Sequence, residues 1–370
     1  MAEIEFGPEQ AMLADIASRF FAERHPVSAA RDQLLTASGY DPEVWSEMVE
    51  AGWLDLVVPE AYGGAGLGMT ELVSVVEPMG RRLFASPFVT TQLAIQALLR
   101  AGDGAEALRR EWLPRLCRGA AATVALVEAG GDWAPERLAS SVSPEEPARL
   151  EVEKRFVLDA DAADLVVVSL RRGDEPCLAF VERSRLPAGA LEREIVIDET
   201  RRSYRLSLSG VEVDPACLVT GEDASTALRA VRDAGLLLVS AEACGGIAGA
   251  LDVIVDYLRS RVQFGRPIGS YQALKHPAVD ILVGLERSRS HLYHAATVFG
   301  GEGAESALRM LKAEAGETFA FAGDRAVQFH GGLGFTYECD AQLYLRRALW
   351  CQYQFGDALH QRRHLADLLL

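Results

Sequence analysis

Apolar residues recur at helical spacing along the first third of the chain. Met12, Leu13, Ile16 and Phe20 share one face of a helix drawn over residues 10–21, and Trp45, Met48, Val49 and Trp53 repeat the arrangement. Next comes the stretch 58–67, whose proline and glycines mark a loop, and then a helix over about 70–82. Near Ala122 the character changes. Short Val- and Leu-rich runs at 123–127, 155–158, 163–170, 177–181, 194–197 and 204–213 are separated by turn residues, the pattern of an antiparallel β domain, and 140–148 reads as a loop. From Ala224 helical periodicity returns, with long helices expected at 224–261, 273–299 and 302–328 and a shorter pair beyond Tyr337. The order helical, β, helical describes an α+β chain with domains at 1–121, 122–220 and 221–370.

Composition narrows the function. A chain of 370 residues, 49% hydrophobic and 24% charged, can bury a large core without a metal or disulfide staple. The six cysteines are scattered and none has Cys-x-x-Cys spacing, the usage of reduced cysteines in a cytoplasmic protein. Lys and Arg number 37 against 53 Asp and Glu, for a net charge of −16, which excludes nucleic acid as a partner. A phosphorylated small ligand needs only a local basic pocket and stays open. The acidic N-terminus lacks the basic region of a signal peptide. The apolar stretch 236–251, interrupted by Glu242 and several glycines, reads as too short to cross a bilayer, so no membrane partner is expected.

Phosphate-loop, dinucleotide, zinc-protease and nucleophile-elbow patterns are all missing from the sequence. Two other segments stand out. In Tyr257-Leu-Arg-Ser-Arg261-Val-Gln263-Phe264-Gly265-Arg266-Pro267-Ile268-Gly269 a long helix ends in basic residues that can fork onto phosphate oxygens. The same arginines could equally offset a helix dipole, with Phe264 in the core. In Gln328-Phe-His330-Gly331-Gly332-Leu-Gly334 paired glycines let backbone amides approach a ligand, or make a tight turn between helices.

Together with Pro59-Glu60-Ala-Tyr62-Gly63-Gly64-Ala-Gly66 and with Asp198-Glu-Thr200-Arg-Arg-Ser followed by Leu208-Ser-Gly210-Val211-Glu-Val213-Asp-Pro215, these segments fall in the order of the acyl-CoA dehydrogenase family, which the whole chain resembles. The resemblance implies an N-terminal helical domain, a middle antiparallel β-barrel-like domain and a C-terminal four-helix bundle. It implies FAD, with Arg261, Gln263 and Phe264 at its pyrophosphate or adenine end and Gln328, Gly331 and Gly332 receiving FAD from a partner chain. It also implies an acyl-CoA substrate, α,β-desaturation by a carboxylate base and a flavin, an electron-transfer flavoprotein as acceptor, and a homo- or hetero-oligomer built as a dimer of dimers. No metal is implied.

The departures are as informative. The family's Thr-Glu-Pro-Gly-x-Gly-Ser-Asp segment falls at residues 127–133, where Glu128 keeps register and the hydroxyl donors are gone. Lys-x-Trp-Ile-Thr-Asn falls at 154–159; Phe156 can still stack on an isoalloxazine ring, but Leu158 has no side-chain hydrogen bond to offer. The two positions where the family places its base are Phe355 and Gly235. Glu242 lies two turns beyond Gly235, about 10 Å along the helix, and is one base candidate; pairing with a bundle arginine is its other role. Asp357 is the second, against a role in turn chemistry. Three readings follow: an active dehydrogenase with a relocated base, the degenerate subunit of a heteromeric enzyme acting on bulky thioesters such as steroid side-chain CoA esters, and a scaffold that binds no flavin.

Overall fold

A computed structural model describes residues 7–370 other than 132 and 134–136. The first domain holds α1 (Pro8–Arg24), α2 (Val27–Gln33), α3 (Pro42–Glu50), α4 (Met69–Arg81), α5 (Phe88–Leu99) and α6 (Glu106–Cys117). Proline opens α1 and α3, where its missing N–H costs nothing, and Asp41 caps α3 by accepting from the Glu43 amide at 2.9 Å. α1 is rotated from the face its periodicity suggests. Met12 and Ile16 are 61% and 50% exposed, whereas Ala17 and Phe21 are buried. Phe21 meets Trp53 and Phe84 at ring-centroid distances of 5.5 and 5.0 Å, and this aromatic contact sets the rotation.

The middle domain is one sheet of β1 (Ala122–Ala125), β2 (Ser141–Val142), β3 (Ala148–Leu158), β4 (Leu165–Arg172), β5 (Glu175–Glu182), β6 (Leu191–Glu194), β7 (Ser203–Val213) and β8 (Leu218–Thr220). The order is β6-β7-β3-β2-β4-β5-β8, with β1 beside β4. The expected antiparallel pattern holds for most pairs, but β1 and β2 both run parallel to β4, so the sheet is mixed. β2 lies inside the stretch expected as a loop and bridges β3 and β4. β4 reads as a continuous apolar run because both its faces are covered. Leu165 and Val167 join the core shared with the helices, while Val166, Val168 and Leu170 fill a second core within the sheet domain.

The last domain holds α7 (Gly221–Ser260), α8 (Gln272–Thr297), α9 (Ala304–His330), α10 (Ala341–Tyr353) and α11 (Ala358–Leu369), with the ribbon β9 (Val262–Gln263) and β10 (Arg266–Pro267) between α7 and α8. At 40 residues, α7 is long and apolar enough to cross a membrane, contrary to the expectation from 236–251 alone. Its apolar window is 78% buried inside the protein, against α4, α5, α8, α9 and α10. Small residues permit that approach: a Cβ on Gly245 would stand 1.9 Å from the Glu77 carbonyl oxygen of α4.

Candidate functional site

The C-termini of α7 and α9 meet at one end of the bundle, where the Tyr257 and His330 rings stack at 4.1 Å. From that junction the two sequence-marked segments project side by side. Arg261, Gln263, Phe264, Gln328, Gly331 and Gly332 are all exposed. Phe264 is 91% exposed and sits in left-handed backbone (φ 52°), held out by the tight β9–β10 turn. Arg266 is occupied over the Tyr271 ring at 4.2 Å, but the Arg261 guanidinium has no side-chain partner among the described residues. Gly331 (φ 60°) and Gly332 have open space where a Cβ would be. The Gly331 N–H is taken by the Gln328 carbonyl at the end of α9. The free guanidinium, the exposed Gln328 side-chain amide and the close backbone approach that Gly331 and Gly332 allow are what suit a diphosphate here. This end fits the ADP part of FAD.

The isoalloxazine side is different. A register shift between Lys154 and Val157 pushes Phe156 outward in left-handed backbone (φ 56°), and the Glu194 carboxylate accepts from the Phe156 amide at 2.8 Å. Phe156 lines a crevice of about 30 Å³ with Thr90, Leu93, Leu158 and Phe355. Glu128, which keeps the family register, is a structural staple. It accepts from the Ala139 and Ser140 amides at 2.7 and 2.9 Å and from fully buried Lys154 at 2.9 Å. Burial works to raise its carboxyl, but these hydrogen bonds outweigh it and bring the pKa to about 2, while burial lowers the Lys154 ammonium to about 8. Asp132 of the same segment lies outside the described residues. With apolar side chains in place of hydroxyl donors and so little room, this half does not fit the flavin ring.

Beside the crevice lies a cavity of about 430 Å³ between the sheet and the bundle. Arg229, Arg232, Arg309, His360 and His364 gather on its polar side, and Leu126, Leu138, Leu228 and Leu236 on its apolar side. The carboxylate on its wall, Glu305, is taken by Arg309 at 2.6 Å and Arg232 at 3.3 Å. Burial pushes that carboxyl up, yet the arginines prevail and hold it below its ordinary range. Phe355 closes the inner end, stacked on Trp133 at 4.7 Å with 29° between the rings. The ring also lies on α7 at Gly235, where a Cβ would stand 2.2 Å from its Cζ. The two expected base positions are thus in contact, and neither has a proton acceptor.

Neither carboxylate candidate reaches the cavity. Glu242 is 2% exposed and lines neither space. Its Oε1 accepts from Arg201 and Arg347, and Arg347 also pairs with Asp198 and donates to Thr200 Oγ1 at 2.6 Å. The displacement along α7 carries it past the cleft into this cluster. Asp357 caps α11, accepting from the His360 amide at 2.8 Å. The structure therefore argues against both candidates: neither lines the cavity, Glu242 Oε1 is held by two arginines while its Oε2 is buried without a hydrogen-bond partner among the described residues, and Asp357 Oδ1 caps α11. Sequence reasoning missed Trp133, Lys312 and Gln361. Lys312 does carry a signal, being a charge in the apolar row Leu308, Lys312, Ala315, Phe319 of α9.

Comparison with known proteins agrees with this anatomy. The family model for the acyl-CoA dehydrogenase N-terminal domain matches residues 7–120, and that for the C-terminal domain matches residues 233–370. A relative, acyl-CoA dehydrogenase IpdE2 of Mycobacterium tuberculosis, is 31% identical over 342 residues, covering 92% of this chain and 91% of the relative. The ChsE4–ChsE5 complex of Mycobacterium tuberculosis superposes with a TM-score of 0.90 at 24% identity, over 99% of this chain and 98% of the matched one. A variant of the Tcur3481–Tcur3483 steroid acyl-CoA dehydrogenase gives 0.86 at 28% identity, over 98% and 97%.

Proposed function

The chain belongs to the acyl-CoA dehydrogenase family, and from that premise we propose that it is a subunit of an FAD-dependent, heteromeric acyl-CoA dehydrogenase that shares its flavin across a chain boundary and supplies no base of its own. The observation that carries this is the contact between Phe355 and Gly235, which leaves both family base positions without a carboxylate. FAD, when bound, accepts the hydride that leaves the thioester's β-carbon. Arg261 would hold diphosphate oxygens, the Gln328 side chain and the Gly332 amide would support the same group with Gly331 allowing the close backbone approach, and Gln263 and Phe264 would cover its adenine end. Arg229 and Arg232 at the polar side of the cavity attract a CoA thioester, and Leu228 and Leu236 contact its acyl arm. The proton at the α-carbon goes to a carboxylate of the partner chain. Relatives solved as two-component complexes support the heteromeric form, and the steroid enzyme among them supports a bulky acyl group. An electron-transfer flavoprotein is the proposed acceptor.

The test is a visible spectrum of the chain purified alone and after co-expression with a base-bearing dehydrogenase chain. Flavin and turnover appearing only in the mixture are expected. Flavin with turnover in the isolated chain would sink the proposal, and absence of flavin from both samples would favour a scaffold.

A further inference from the structure

The loop that carries Phe355 joins α10 to α11, and it is tied down from two helices. Lys312 of α9 is 2% exposed, and its ammonium donates to the carbonyl oxygens of Gln352 at 3.0 Å and Gly356 at 3.1 Å. Gln361 of α11, 1% exposed, donates from Nε2 to the Phe355 oxygen at 2.6 Å and the Gly356 oxygen at 3.3 Å. The Gln361 Oε1 accepts from Arg309 at 3.0 Å, which fixes the amide's orientation. Between these ties Phe355 and Gly356 take successive left-handed conformations, φ 56° and 90°. Glycine adopts that backbone freely; phenylalanine does so only where its surroundings impose it.

A buried ammonium is costly unless paired, yet no ion pair answers Lys312 among the described residues. Its donors go to the two backbone carbonyls that bracket the strained residue. The ring at that residue is a wall. Leu126, Trp133 and Phe355 border both the 430 Å³ cavity and the 30 Å³ crevice, so the Trp133–Phe355 stack divides one cleft into two spaces. We propose that Lys312 is a positioning residue which, with Gln361, holds the Phe355 ring on Trp133 and keeps the outer cavity partitioned from the crevice that Phe156 lines. The tie itself is independent of what the cavity binds. Its consequence, that an acyl arm entering past Arg232 stops at Phe355, rests on reading the cavity as the acyl-CoA cleft.

Fluorine NMR of the full chain labelled with fluorotryptophan tests this. The chain has five tryptophans, and Trp133→Phe assigns the signal of interest. Phe355→Ala marks where that signal stands without the stack. Lys312→Met should move it most of the way to that mark while the Trp45 and Trp112 signals stay in place, and Gln361→Leu should move it part of the way. A role confined to stability would lower the unfolding midpoint and leave the signal where it was. An unmoved Trp133 signal in Lys312→Met, with Phe355→Ala clearly shifted, overturns the proposal; should Lys312→Met not fold, Gln361→Leu decides by the same reading. Octanoyl-CoA added to the parent chain should shift the Trp133 signal. No response to octanoyl-CoA in either the parent or Lys312→Met would remove the acyl-CoA reading of the cavity and leave the tie intact.

Discussion

Asp159, Asp198 and Glu242 are buried with Arg201, Arg202 and Arg347 where the segment 198–202 meets α7 and α10. Buried charges persist when each is answered, and removing one partner leaves the others exposed to the full desolvation penalty. Glu242→Gln should therefore destabilise the fold by about 3–5 kcal/mol, read as a lower urea midpoint, while turnover per folded complex stays at the parent value. A large loss of kcat with the midpoint unchanged would return Glu242 to the chemistry. Arg261 is the opposite case, since its exposed guanidinium has no hydrogen-bond or ion-pair partner among the described residues. Arg261→Ala should leave the urea midpoint in place and weaken flavin binding roughly 10- to 100-fold, the worth of a hydrogen bond to a charged group. Equilibrium dialysis of flavin against the assembled complex measures this, and equal affinity would refute the placement. Single residues differ in legibility for the same reason. Arg261 could be marked because its segment is contiguous, whereas the meeting of Phe355 with Gly235 joins positions far apart in the chain, which only the folded bundle brings together.

Among elements, the bundle helices were legible to within a few residues, because long apolar periodicity and flanking glycines leave little freedom. The strands were less so. β3 alternates apolar residues with charged ones, as in Leu150-Glu-Val-Glu-Lys, so a search for Val-rich runs finds only its end. β6 ends at Glu194, whose carboxylate is drawn to Arg155 and the Phe156 amide, and this leaves Ile195 and Ile197 outside, 89% and 54% exposed. The end of α1 carries a testable charge effect. His25, its C-cap, is 1% exposed and edge-on to Phe84, and its Nε2 has no hydrogen-bond partner among the described residues. Burial first, then Arg347, lowers its pKa from 6.5 to about 4. Between those values the unfolded chain binds the extra proton, so the His25 site loses stability as pH falls from 6.5 to 4, by roughly 3 kcal/mol in total. Asp159 works the other way, because burial raises its carboxyl from 3.8 to about 6 and the native state takes up the proton first. The comparison must accordingly be made against a variant. His25→Phe should narrow the gap between urea stabilities at neutral and acid pH, and an equal gap in both proteins would show that His25 is not held neutral.

At the scale of the whole molecule, charge and apolar surface pull apart. A net charge of −16 keeps copies of the chain from clustering without a specific contact. Yet Val279, Leu282 and Val283 stand 54%, 45% and 51% exposed at helical spacing on one face of α8, and Phe264 and Phe335 are 91% and 72% exposed at the bundle end that carries the diphosphate donors. Apolar groups gathered in this way fit an interface better than water. If the flavin is shared across that boundary, its retention is a property of the assembly, and breaking the contact must release it even though no flavin-binding residue has changed. Leu282→Glu combined with Val283→Glu places two like charges at the contact and should convert the oligomer to smaller species in sedimentation, with visible flavin absorbance lost in the same fractions. The urea midpoint of the separated chains should stay close to the parent's, since both side chains already face solvent within one chain. Separated chains that keep their flavin would mean that one protomer holds the cofactor alone, and Phe156 with Arg261 would then have to serve the same molecule.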